Sequence, residues 1–131
     1  EYLAEVREFP KSARAHVDLG VSYIVAKNYK AAADEFEIAA SVEPAYMPAY
    51  FRLGQGAVMT NSNYAHGEEA LRKYLAYTPK ENEPPLARAH YWLGQIFEKQ
   101  GKKAEAKASF TTSLKLNPNQ KDVAEALKRV S

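Results

Sequence analysis

The side chains able to do chemistry near neutral pH are few and scattered. Histidine is the first to weigh, as metal ligand or proton carrier, and the chain has three: His16, His66 and His90. His16 and His90 each stand in the setting Ala-His-x-x-Leu-Gly. They therefore occupy one slot in two separate segments. With helices 8–10 Å apart that slot recurs roughly 20 Å or more away, too far for one metal ion. Both rings are expected to pack as aromatic-sized side chains between helices. His66 precedes Gly67 beside a turn, with no second ligand at a suitable spacing, and is expected on the surface. The carboxylates of Asp34-Glu35-Glu37 and Glu68-Glu69 could serve acid–base work. Near helix starts, acidic residues more simply favour the positive end of the helix dipole or solvate an outer face.

Other catalytic frames are missing from the sequence. There is no cysteine, hence no disulfide, thiolate metal site or thiol nucleophile. The six glycines are dispersed, and Gly54-x-Gly56 falls inside a helical segment instead of a phosphate-binding loop. No Ser-His-Asp order carries a local signature, so the reading is of a non-catalytic chain needing no cofactor and no metal. The formal net charge of +2 is too small to grip nucleic acid. Basic residues do crowd residues 99–131, with eight Lys and Arg against three Asp and Glu, leaving the remainder at −3. Lysines spread along helix faces mainly solubilise. No apolar run approaches the ~18 residues a bilayer requires, and the N-terminus lacks a charged-then-apolar signal pattern, so no direct membrane insertion is expected. With 131 residues, 46% of them apolar, the chain suits a single domain. Its compartment stays open, cytoplasm and periplasm alike.

The elements that would position any site are set by an internal repeat. Ala13-Arg14-Ala15-His16-Val17-Asp18-Leu19-Gly20 aligns with Met47-Pro48-Ala49-Tyr50-Phe51-Arg52-Leu53-Gly54 and with Ala87-Arg88-Ala89-His90-Tyr91-Trp92-Leu93-Gly94. Each block precedes a second apolar segment ending in proline: Ala32, Phe36, Ala39, Pro44, then Gly67, Leu71, Tyr74, Pro79, then Ala106, Phe110, Ser113, Pro118. The internal steps agree throughout. Offsets of 3, 4 and 7 from His16 to Leu19, Gly20 and Tyr23 put these four on one helical face. A helical glycine costs about 1 kcal/mol relative to alanine. Its return at one phase in three segments implies close approach of a partner helix. Asn28-Tyr29, Asn63-Tyr64 and Gly101-Lys102 are expected as the turns between paired helices.

This pattern resembles the tetratricopeptide repeat, whose aromatic-x-x-Leu-Gly-x-x-Tyr, Ala-x-x-x-Phe and Pro signature has a 34-residue period. The resemblance implies an all-α, right-handed α-solenoid of helix-turn-helix repeats. Three full repeats follow a partial repeat helix and precede a C-terminal capping helix. Residues 1–12 would end a preceding repeat, 13–46, 47–81 and 87–118 would be the repeats, 82–86 a linker insertion and 119–131 the cap. Repeat two departs at Ala57, where tyrosine is usual, and has an extra residue near Asn61-Ser62-Asn63. Lys80-Glu81-Asn82-Glu83-Pro84-Pro85 is expected as a stiff, solvated linker. In the cap, Asn119 is the expected N-terminal cap, with Val123, Ala126, Leu127 and Val130 forming the apolar stripe. Tyr2, Leu3, Val6 and Phe9 suggest that the chain is a piece of a longer solenoid.

Repeats of this class curve so that their first helices line a concave face. The residues expected there are Arg14, Val17 and Val21, then Phe51, Arg52, Gln55 and Met59, then Arg88, Tyr91, Trp92 and Gln95. An apolar, aromatic floor with several arginines suits a peptide segment or helix; Tyr91 and Trp92 are the expected anchors. Some relatives clamp a C-terminal carboxylate with lysine, asparagine and arginine side chains. Here Val17, Val21, Arg52 and Trp92 stand at those places, leaving only Arg88. The expected partner is another protein or peptide, with the chain acting as an adaptor. Two alternatives are a homo-oligomer formed through the exposed N-terminal residues, and a recruiting domain of a larger enzyme or membrane-associated assembly.

Overall fold

The computed structural model describes residues 1–131. It holds α1 (Tyr2–Glu8), α2 (Ala13–Val25), α3 (Tyr29–Val42), α4 (Pro48–Thr60), α5 (Tyr64–Leu75), α6 (Leu86–Lys99), α7 (Lys103–Leu116) and α8 (Lys121–Val130), and no strand. The fold is the all-α solenoid: α2 packs on α3, α4 on α5 and α6 on α7.

Local chemistry sets the helix ends. Ser12 Oγ accepts the Ala15 N–H at 3.2 Å and Asn28 Oδ1 that of Ala31 at 3.4 Å, satisfying donors that no helical carbonyl reaches. Pro48 opens α4 where a missing N–H costs nothing. Each turn within a repeat holds a left-handed residue, Lys27 at φ 61°, Asn61 at φ 51° and Gly101 at φ 76°, and the longer turn of the second repeat adds another, Asn63 at φ 54°. Asparagine tolerates that region because its short amide can bond locally.

The repeated glycines have a steric cause. A Cβ at Gly20, Gly54 or Gly94 would come within 3.0 Å of Phe36, Leu71 or Phe110 respectively. These three side chains are fully buried, so each glycine is the floor on which the partner helix seats its largest residue. Leu19, Leu53 and Leu93 are buried alike beside them.

Curvature follows from which helices meet. α2 touches α4 and α4 touches α6, whereas α3, α5 and α7 have no substantial contact with one another. The first helices draw together as an inner row and the second helices fan apart outside.

At the C-terminal end, Val123, Ala126 and Val130 of α8 are buried, with Leu127 partly covered. Two arginine forks fasten the helix. Arg88 donates to Asp122 at 2.8 and 3.2 Å, and Arg129 to Glu98 at 2.9 and 2.9 Å. The cap residue is Gln120, not Asn119. Its Nε2 reaches Ser113 O, Ser113 Oγ and Asn117 O at 3.0, 3.1 and 2.8 Å, closing the open end of α7. Asn119 lies outside, its N–H held by Asn117 Oδ1. The longer amide of Gln120 thus joins Arg88 of α6 to the end of α7.

These forks make the cap acid-sensitive. Arg88 holds the Asp122 carboxyl below its ordinary range, and Arg129 does the same for Glu98. A lowered carboxylate pKa contributes stability that is present at neutral pH and lost as pH falls through the folded value. Acidification toward about pH 3 is therefore expected to free α8 before the remaining helices. Amide exchange across Val123–Val130 should accelerate first, and an Asp122→Asn, Glu98→Gln variant should lose that early step.

At the other end α1 rests on α2 but buries none of its residues. Tyr2, Leu3 and Phe9 are 49%, 37% and 55% exposed.

Candidate functional site

The inner helix row presents two clefts, one of about 360 Å³ and one of about 460 Å³. The first is lined by Arg14, Val17, Asp18 and Val21 of α2 with Tyr2, Tyr46, Pro48 and Arg52. The second is lined by Phe51, Arg52 and Gln55 of α4 with Arg88 and Trp92 of α6. Eight of the eleven side chains that the sequence points to thus line one cleft or the other. Val17, Phe51 and Gln55 are buried and contribute floor instead of reach. Met59, Tyr91 and Gln95 line neither cleft. Tyr91 is packed among its neighbours: Arg88 lies 4.4 Å over its ring, Trp92 and Phe110 meet it at 5.0 and 6.1 Å, and Gln95 Nε2 donates to its hydroxyl at 2.7 Å.

The insertion is exposed at Lys80, Glu81, Asn82 and Pro85 and also forms part of the wall. Asn82, Glu83 and Pro84 line both clefts. Tyr74 Oη donates to Pro84 O at 2.6 Å, and Glu83 Oε1 accepts from Tyr77 Oη at 2.6 Å and from the Lys80 N–H at 2.8 Å. Burial alone would raise the Glu83 pKa, but the Tyr77 hydroxyl and the Lys80 N–H outweigh it and hold the group below its ordinary value. Tyr74 itself is fully buried between Phe51 at 5.5 Å and Tyr77 at 5.6 Å, and burial pushes its hydroxyl up. Sequence reasoning missed this tether. The signal was available: Tyr74 stands where the other repeats carry Ala39 and Ser113, in the last turn of the helix that leads to the added residues.

The charges of the groove are unevenly satisfied. Arg88 is committed to Asp122 and Gln120. Arg52 donates only to Gln55 Oε1, at 2.8 Å, and lies 5.2 Å over the Phe51 ring. Burial pulls its guanidinium below the ordinary value. Asp18 is raised by burial and by Glu5, against the opposing pull of Arg14 and Arg52.

The histidines do not converge. His16 is buried, with Nδ1 2.7 Å from Glu35 Oε1 and Nε2 2.6 Å from Pro10 O. His66, exposed as expected, pairs with Glu37 at 2.8 Å and so links α5 to α3 across the fanned outer row. His90 is half-buried with no protein hydrogen-bond partner, and burial lowers its pKa. No group of three or more His, Asp or Glu is arranged to hold a metal ion. No helix is long and apolar enough to cross a membrane.

A tetratricopeptide repeat family model matches residues 87–120, and a second model of the same repeat matches residues 1–55. This chain is a tetratricopeptide repeat protein. Residues 56–86, outside both matches, hold the departures already described: Ala57, the extra residue and the insertion. Among solved structures, the Arabidopsis OM64 tetratricopeptide domain is similar with a TM-score of 0.77 and 19% identity, over 90% of this chain and 93% of that one. The first tetratricopeptide domain of Spaghetti (RPAP3), bound to an HSP90 peptide, gives 0.76 and 18% over 91% and 90%. MamA of Desulfovibrio magneticus RS-1 gives 0.78 and 18% over 95% and 67%. Comparison with curated proteins gives no match. Tetratricopeptide repeats form a family of interaction modules that is in general non-catalytic.

Proposed function

We propose that this tetratricopeptide repeat protein is a non-catalytic adaptor that holds a segment of another polypeptide along its concave face. One observation carries the reading: the two clefts of the inner helix row are neighbours that share Arg52, Asn82, Glu83 and Pro84, and their linings reach from Tyr2 to Trp92. Aromatic rings at Tyr2, Tyr46 and Trp92 supply apolar area at low rotamer cost, and arginines supply directional donors. Structural relatives lend support, since Spaghetti and human RPAP3 tetratricopeptide domains were solved with HSP90 and HSP70 peptides. Their ligand class does not carry over directly. Arg88, the one residue here that stands at a place of the carboxylate clamp, is already neutralised by Asp122.

The test is positional cross-linking. A photoreactive residue at Trp92, in the second cleft, is expected to capture partner protein, while one at Ile38, exposed on the outer row, is not. Capture from Ile38 alone would move the binding face to the opposite side.

A second reading, self-association, draws on the exposed Tyr2, Leu3 and Phe9 of the N-terminal end. Sedimentation velocity over a concentration series separates the two: the adaptor reading expects a monomer in the absence of ligand.

A further inference from the structure

We infer that the groove selects a segment with an acidic side chain in its interior, the carboxylate seated on Arg52; this rests on the concave face being the binding face. Arg52 lines both clefts, so an occupant running from one to the other passes over it. Its guanidinium has five N–H donors, of which the protein uses one, toward Gln55 Oε1. The Phe51 ring lies beneath it, 5.2 Å from its carbon to the ring centre. Arg72, Arg88 and Arg129 each have a carboxylate oxygen within 4.0 Å, at 2.9, 2.8 and 2.9 Å, whereas Arg52 has none. Arg7 and Arg14 also lack one, but they are exposed and water serves them. Arg52 is different because it is partly withdrawn from solvent with no carboxylate in contact, Asp18 acting on it only at longer range across the first cleft, so an anion that touches it relieves that cost. A carboxylate meets the free edge of a guanidinium in a two-point fork.

The remaining charges make this a positional preference and not a long-range pull. Arg88 is paired with Asp122, whereas Glu83 keeps its charge, since the Tyr77 hydroxyl and the Lys80 backbone N–H that it accepts from are neutral. Arg14, Arg52 and Lys80 then stand against Asp18, Glu81 and Glu83 on the lining. The field nearly cancels, so selection falls on the residue that touches Arg52. Trp92 and Pro84 beside it favour apolar neighbours for that residue. The clamp type of recognition would need a chain end, whereas Arg52 lies mid-groove and needs only a side chain.

The test uses pools of short peptides, acetylated and amidated so that no terminal carboxylate exists. Each has a central Glu, Gln or Lys among alanine and apolar residues, and the folded chain is the bait. Charge-assisted hydrogen bonds of this kind separate ligands by about tenfold or more. Glu-centred peptides are expected to be enriched by about that factor over Gln-centred ones. Arg52→Gln should abolish the enrichment and Arg52→Glu should transfer it to the Lys-centred pool. Circular dichroism checks folding, and should the Glu variant not fold, Arg52→Met tests the loss of Glu enrichment a second time. Equal enrichment of the three pools, with binding lost in Trp92→Ala, would overturn acidic selection while leaving the groove intact. Glu enrichment that survives Arg52→Gln would equally overturn the assignment. Binding of none of the pools would count against the groove itself and take this inference with it.

Discussion

Replacing Gly54 by alanine is expected to cost about 1–2 kcal/mol, while the same change two residues on, Gly56→Ala, is expected to add about 1 kcal/mol. Helix propensity favours alanine by about 1 kcal/mol at both sites, so sterics decide the sign. At Gly54 the new methyl would overlap Cγ and both methyls of Leu71, which is fully buried and has no space to move into. Overpacking of that kind costs about 1–3 kcal/mol and exceeds the propensity gain. At Gly56 the nearest atoms, from Phe36 and Ala33, stand at 3.6–3.7 Å, which is ordinary contact. Urea unfolding followed by circular dichroism measures both. A Gly54→Ala variant as stable as the parent would mean that Leu71 yields, and that the repeated glycine has some other cause.

That pair of glycines shows how much of the fold could be read from the sequence. Gly20, Gly54 and Gly94 recur in phase with Leu19, Leu53 and Leu93, and periodicity alone placed them on one packed face. The pairing of helices follows from it. The sequence could not show which atoms fill the space, and so could not separate Gly54 from Gly56. End geometry was less legible still. Asn119 has the favoured cap chemistry, yet Gln120 reaches across to Ser113 and Arg88 and takes the position. Tertiary hydrogen bonds outweigh a local preference there.

The groove was legible where it depends on helical phase and obscure where it depends on a loop. Arg14, Arg52, Arg88 and Trp92 came from rotating around the first helices, and all line the clefts. Lys80, Asn82, Glu83 and Pro84 did not, because a solvated segment with two prolines carries no helical phase that would say which face it borders. The missing information lies in Tyr74, whose hydroxyl needs a buried acceptor and finds it in Pro84 O. Tyr91 failed in the opposite sense: its phase suggests the groove, but Arg88, Trp92 and Phe110 already enclose the ring.

Phase likewise conceals a difference between two histidines, and it sets the second large effect. His16 and His90 occupy one slot in α2 and α6, where the repeat pattern expects an aromatic ring. Were both merely ring-shaped filler, phenylalanine would serve at either. In the structure His16 joins the α1–α2 turn to α3 through Pro10 O and Glu35 Oε1. A carbonyl can only accept, so Nε2 donates to Pro10 O while Nδ1 faces Glu35 Oε1. His16→Phe keeps an aromatic ring, somewhat larger, but leaves a buried carbonyl and a half-buried carboxylate without partners, at an expected cost of about 3 kcal/mol. Glu35→Gln should cost less, since an amide can still bond the ring. His90 has no such partners, and its burial disfavours the charged ring. The unfolded chain then binds the proton more readily than the folded one, so His90 lowers stability as pH falls below the ordinary histidine range of about 6.5. His90→Phe is therefore expected to be neutral or stabilising at pH 7 and to flatten the pH dependence between about pH 7 and 5. Urea titrations of both phenylalanine variants at the two pH values decide the matter. Equal costs at the two sites would show that position in the repeat, and not hydrogen bonding, governs this slot.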